Sequence, residues 1–393
     1  MASFYKTLDN EKDVVSTRTL LHEAIPLTGT IVSGTYGDEN IKNFAHGMFQ
    51  SVYDYPFLSS SANHIFDITA GYASDSTLVN TANTQNSKKK NIYNQMAQVL
   101  MGYDHTGSIQ QFDEDGNITD GGTKLKECFF LNFSRLLVKD EIKKGTFSLE
   151  LGVTDAFAIN DATFNQRIKI SDVSGSDGFK VNSPVGEYGV LFAETTRDGD
   201  ATLSTNLIQG ETITSNASVA STRPACGLIF YQAGVVVITG SVFRANNDDS
   251  AGLLTAAVNS SAFSATAGNT QGFNFITGST IEAVSDAIRN RIYNLQFNNT
   301  TELNSTIYFC RMNHNEFNYS TNPTYLNDGK IRVKTKSTDV PIAYVTSIGL
   351  YNSNNELMAT AKLSEPLRKD PSQEYTIRSV SYTHLRAHET LIY

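Results

Sequence analysis

Residues 227–243 read GLIFYQAGVVVITGSVF. Leu228 to Tyr231 and Val235 to Val242 are β-branched and aromatic runs, and Gln232-Ala233-Gly234 between them is a short hairpin connection. This stretch predicts an antiparallel strand pair. A second pair is expected in YVTSIGLYNSNNELMATAKLSEPL, residues 344–367. Two alternating runs flank Ser353-Asn354-Asn355, where asparagine tolerates the left-handed backbone of a tight turn. Interior Gly349 admits a neighbouring backbone or aromatic ring at close range.

Working outward, HIFDITAGYASDS (64–76), ECFFLNFSRLL (127–137), GTFSLELGV (145–153), NSTIYFCRM (304–312) and KIRVKT (330–335) also read as strands. KDEIKKG (139–145) is a charged turn between two of them. Helices are expected at three places. In NIKNFAHGMFQSVYDYP (40–56), Ile41, Phe44, Ala45, Met48, Phe49 and Val52 recur at steps of three and four until Pro56. His46 lies beside that stripe as a core or rim residue. In KKKNIYNQMAQVLMGY (88–103), Ile92, Met96, Val99 and Leu100 share a face and Gly102 stops the helix. In STIEAVSDAIRNRIYNLQFNN (279–299), Ser279 or Thr280 caps, and Glu282 sits where a capping box from Ser279 places its acid. Ile281, Val284, Ile288, Ile292 and Leu295 form its apolar face; Arg289 and Arg291 fall off it as solvated charges.

The expected fold class is therefore α+β and β-rich, with antiparallel sheets and hairpins and about three amphipathic helices. Composition divides the chain into a mixed α/β domain (1–157), a Gly/Ser/Thr/Asn-rich β and loop region (158–277) and a helix plus β-hairpin domain (278–378). Within the middle region, Asn246 to Thr270 is too polar to pack tightly and reads as loop.

A net charge of −9 repels phosphate, so no direct nucleic-acid partner is expected. The one dense basic run, Lys88-Lys89-Lys90, reads as a solvated helix entrance. Cys128, Cys226 and Cys310 are far apart, odd in number and set in apolar stretches, which predicts buried free thiols and synthesis in a reducing cytoplasm. MASFYKTLDNEKD has no basic and apolar signal regions, and the apolar run from Gly234 to Val242 is too short to span a bilayer, so no membrane partner is expected.

The sequence holds no P-loop, no GxGxxG after a strand, no GxSxG elbow and no HExxH. A Ser/His/Asp site stays open, because its members need not be neighbours in sequence. Asp113, Asp115, Asn117 and Asp120 crowd oxygens into one loop, yet Gly116 and Lys124 stand where an EF-hand loop does not place them. A hairpin turn is the expected reading. His384, His388 and Glu389 have metal spacing, but SYTHLRAHET resembles the translated read-through of a sequencing adapter. That resemblance implies a native frame ending around Arg378 and a non-native tail at 379–393. No catalytic, cofactor-binding or metal-binding residue is assigned, and no cofactor is expected.

Six blocks carry a broader resemblance: residues 30–72, 88–109, 129–152, 227–243, 317–325 and 344–370. Together they resemble a family of virion structural proteins from large contractile-tailed phages of the cyanophage type. Members of that family continue past Ile377 with an alternating basic and apolar strand, and this chain departs at Ser379. The resemblance implies a non-enzymatic structural subunit of the tail or baseplate region. It implies other virion proteins and further copies of the chain as partners, and the virion as location after synthesis in the host cytoplasm. A receptor- or glycan-binding tail protein and a depolymerase or other hydrolase are the competing readings. In FNYSTNPTY (317–325), Phe317, Tyr319, Pro323 and Tyr325 form an aromatic loop between strands. It either packs over its own domain or anchors a contact.

Overall fold

A computed structural model describes residues 5–27, 38–113, 116, 123–152, 167–195, 225–243, 275–320, 323–331 and 336–384. The strands in chain order are β1 (Val14–Pro26), β2 (Ile41–Asn43), β3 (Gln50–Tyr53), β4 (His64–Tyr72), β5 (Glu127–Phe133), β6 (Glu141–Ile142), β7 (Ser148–Gly152), β8 (Arg167–Ser171) and β9 (Lys180–Ser183). They continue with β10 (Gly186–Thr195), β11 (Ala225–Phe230), β12 (Val235–Thr239), β13 (Ile292–Met312), β14 (Leu326–Asn327), β15 (Lys330–Ile331), β16 (Ala343–Tyr351), β17 (Leu357–Lys369) and β18 (Tyr375–His384). The helices are α1 (Asn86–Leu100), α2 (Arg135–Val138), α3 (Phe275–Gly278) and α4 (Ile281–Arg289). The fold is β-rich and its strand pairs are antiparallel, as expected. Among the described residues only α1 and α4 exceed four residues, fewer long helices than the sequence pattern predicts.

The chain forms two compact units, one of residues 22–301 and one of 1–21 with 302–393. The composition shifts fall elsewhere, near 157 and 277. In the larger unit the first residues of β13 begin a ladder that runs β13-β7-β8-β10-β11-β12-β5-β4-β3-β2. The expected hairpin is its centre: β11 and β12 pair from Gly227↔Ile238 to Phe230↔Val235. Side chains alternate between two cores. On β5, Phe129, Leu131 and Phe133 enter one core and Cys128 and Phe130 the other; on β12, Val236 and Ile238 oppose Val235 and Val237. A strand covered on both faces has no polar side to show, which is why these segments read as unbroken apolar runs.

Helix α1 covers one face through Ile92, Tyr93, Ala97 and Leu100, and α4 covers the other through Val284, Ala287 and Ile288. Burying Ile92 and Leu100 alone contributes about 3–6 kcal/mol. The helix lies tight on β4 at Gly71, where an added Cβ would stand 2.5 Å from Lys89 O and 2.9 Å from Tyr93 N. Val99, expected on the inner face, is 59% exposed instead.

Five expectations are corrected. Residues 41–53 are the hairpin of β2 and β3, pairing Ile41↔Val52 and Asn43↔Gln50, not a helix. Gly47 takes φ +59 in the turn, and the ladder bonds that β4 offers to β3 outweigh the local helical spacing. The third helix ends at Arg289, so Ile292 and Leu295 lie on β13. Its cap is Thr280, whose Oγ1 accepts from Ala283 N at 3.2 Å, so the acid of a capping box would fall on Ala283 rather than Glu282. Arg289 and Arg291 are buried: Arg289 bonds Asp286 at 2.9 Å, and the Arg291 guanidinium sits 5.9 Å from the Phe243 ring centre. Lys89 is buried as well, donating to Ile276 O at 2.5 Å and Ser279 O at 2.6 Å, the carbonyls leaving α3.

In the smaller unit, β18 pairs with β13 from Leu303↔His384 to Met312↔Tyr375. Residues 379–384, the start of the adapter-like stretch, thus continue this strand. β16 and β17 form a separate two-stranded sheet, as do β14 and β15. Cys128 and Cys226 are buried free thiols, while Cys310 is free but only half-buried. The loop expected at 246–270, the oxygens of Asp115, Asn117 and Asp120, and the His388-Glu389 pair lie outside the described residues.

Candidate interaction surface

Beyond β13 the chain turns at Asn313, whose backbone N–H donates to Glu316 Oε2 at 3.1 Å while Glu316 N donates to Asn313 O at 3.1 Å. Lys6 bonds the same carboxylate at 2.5 Å and holds it below the usual carboxylate range. Phe317 follows with φ +54, a left-handed backbone unusual for a bulky side chain. Its ring is nonetheless 40% exposed, and Tyr319 is 42% exposed. Pro323 opens a 3-10 turn with Tyr325, the proline exposed and the tyrosine half-buried. The loop therefore turns Phe317 and Tyr319 outward rather than folding them into a core.

The loop is pinned to the base of the β16–β17 hairpin. Lys369, fully buried, donates to Asn318 Oδ1 at 2.8 Å, His314 O at 3.2 Å and Asp370 O at 2.9 Å. At the other end of the hairpin, Asn352 Oδ1 accepts from Asn354 N and Glu356 N, and Asn355 takes the left-handed φ of +62. Gly349 behaves as its sequence context predicts: an added Cβ would meet the Tyr351 ring at 2.9 Å and Leu357 Cδ1 at 3.1 Å. The Tyr5 ring packs against that ring at a tilt of 55°, with the centroids 4.7 Å apart. Tyr344, Tyr351, Leu357 and Met358 are exposed along the hairpin. The sequence pattern marks this hairpin but not which of its side chains are exposed. The available signal was AYVTSIGLY, nine strand residues without one charge.

The larger unit holds a cleft of about 270 Å³ lined by Met48, Phe49, Met96 and Phe130, with Asp67 and Asn132 among its polar groups. Beside it Ser51 and His64 both reach Asp67 Oδ1, at 2.5 and 2.8 Å. The carboxylate stands between hydroxyl and imidazole, so the order differs from a Ser-His-Asp array, in which the imidazole contacts the serine. Asp113, from the expected turn, is buried in an ion pair with Lys124. Among the described residues no three or more His, Cys, Asp or Glu side chains gather as metal ligands, and no helix is long and apolar enough to cross a membrane. Comparison of the chain with protein-family models, curated proteins and solved structures returns no match.

Proposed function

We propose that this chain is a non-enzymatic structural subunit of a tailed-phage virion, placed in the tail or baseplate region, that works by fitting against other subunits. The observation that carries the reading is the β16–β17 hairpin. It has no third strand among the described residues and exposes Tyr344, Tyr351, Leu357 and Met358. A two-stranded ribbon is marginal in water and gains stability from a third strand or a packed face. Phe317 and Tyr319 add two exposed aromatic anchors in the same unit. Aromatic side chains dominate the energetic centres of protein interfaces. The sequence blocks that resemble contractile-tail virion proteins supply the kind of assembly.

Quantitative mass spectrometry of purified particles tests this. The chain is expected at a fixed copy number per virion, and the Phe317→Ala, Tyr319→Ala double variant is expected to enter particles at least tenfold less. A chain abundant in the lysate but missing from washed particles overturns the reading.

A further inference from the structure

We propose that the edge of β16 that no strand covers among the described residues pairs antiparallel with β16 of a second copy of this chain, across a two-fold axis at Ser347. This rests on the assembly reading above and names its partner. The two edges of the hairpin are built differently. Strand β17 carries Lys362, Glu365, Pro366, Arg368 and Lys369, the charges and proline with which proteins blunt exposed edges. Strand β16 carries none of these. The ladder irregularities divide the same way. Between the pairs Val345↔Leu367 and Ser347↔Lys362, β16 spends Thr346 alone while β17 spends residues 363–366. Between Leu350↔Ala359 and Tyr351↔Leu357 the extra residue is Met358, again on β17. Bulges bend the strand that holds them. Every extra residue is on β17, so β16 keeps a regular run from Ala343 to Tyr351.

The partner's identity follows from charge and register. A strand with no charge offers nothing to recognise a charged partner, and it opposes no like charges when it meets itself. Full overlap of the nine residues centres the pairing on Ser347. That register sets Tyr344 across from Leu350 of the other copy, Thr346 across from Ile348, and Val345 across from Gly349. Aromatic–aliphatic cross-strand pairs of this kind stabilise a sheet. Each marginal ribbon becomes one half of a four-stranded sheet ordered β17-β16-β16-β17, and the two β16 edges cover each other.

The test uses the full chain carrying Cys310→Ser, to remove the half-buried thiol. Sedimentation equilibrium is expected to show a dimer. Opposed Ser347 residues in such a ladder lie within disulfide reach. Ser347→Cys should therefore give a disulfide-linked dimer at least ten times faster than Thr360→Cys on β17. Ser347→Glu places like charges face to face and should weaken the dimer at least tenfold. Its hairpin is retained, because Lys362 is the cross-strand neighbour of position 347. A monomeric protein overturns the proposal, as does a dimer that Ser347→Glu leaves intact or that links no faster through position 347 than through 360. Chain abundance in purified virions is measured alongside. A monomer that is nevertheless built into particles removes this seam alone, whereas absence from particles removes the assembly reading.

Discussion

Lys369 Nζ donates a 2.8 Å hydrogen bond to Asn318 Oδ1, joining the base of the hairpin to the loop that carries Phe317 and Tyr319. The ammonium is fully buried and its other acceptors are the carbonyls of His314 and Asp370. Lys369→Met keeps the length of the side chain but leaves one buried acceptor, Asp370 O, and two part-buried ones without this donor, and the buried one costs about 1–3 kcal/mol when unsatisfied. Amide hydrogen exchange of residues 313–320 should rise at least tenfold, while the strands of the larger unit keep their protection. Unchanged exchange in that loop would show that Lys369 does not hold it.

Phe317 combines a left-handed backbone with an exposed ring, and Phe317→Gly separates the two. Glycine relieves roughly 1–2 kcal/mol of backbone strain and gives back about 0.4–1 kcal/mol through a freer unfolded chain. Unfolding by urea should therefore place the variant within about 1 kcal/mol of the parent, although a large aromatic group is gone. Its incorporation into particles should still fall tenfold. A large loss of stability would mean that the ring packs on its own unit and is no contact anchor.

Gly71→Ala puts a methyl against Lys89 O and Tyr93 N, backbone atoms of α1 that cannot rotate away. The helix must lift off β4, which overpacking of this kind costs at about 1–3 kcal/mol. Equilibrium denaturation would measure it. A change under about 0.5 kcal/mol, the scale of neutral surface substitutions, would show the contact to be looser than described.

Asp172 accepts from Gly145 N at 2.7 Å and Phe147 N at 2.9 Å, holding the turn into β7, and burial pushes its carboxyl up to about 6. The unfolded chain titrates near the ordinary value of about 3.9. Between those values the folded state binds the proton more tightly. The associated stability is thus complete at low pH and is lost as pH rises from about 4 to 6, by about 2–3 kcal/mol. Asp172→Asn lacks the titration, so the stability gap between parent and variant should shrink across that window. A gap that stays constant or widens would contradict a carboxyl whose burial outweighs its two backbone hydrogen bonds.

The corrected helices show where local pattern misleads. Ile292 and Leu295 stand three apart, as on a helix face, yet both are buried on β13. Two residues of β13 answer one of β7 between the pairs Ile292↔Leu151 and Asn294↔Glu150. That bulge restores the shared face, so a spacing of three served a strand. The stripe from Ile41 to Val52 was a coincidence of another kind. Its residues belong to two strands and the turn between them, and only pairing with β4 separates them.

Sequence alone determined the hairpin of Ala225–Phe230 with Val235–Thr239, the hairpin of β16 with β17, the helix α1 and the β-rich class. Their signals are local: β-branched runs, turn asparagines, an apolar stripe ended by glycine. Tertiary structure decided the burial of Lys89, Arg289 and Arg291, the ends of α4, the exposure of Phe317, and the lack of a third strand beside β16 among the described residues. Those outcomes depend on which distant segment arrives to cover a side chain or extend a ladder. Spacing along one segment carries no record of its neighbours, so no local pattern could have settled them.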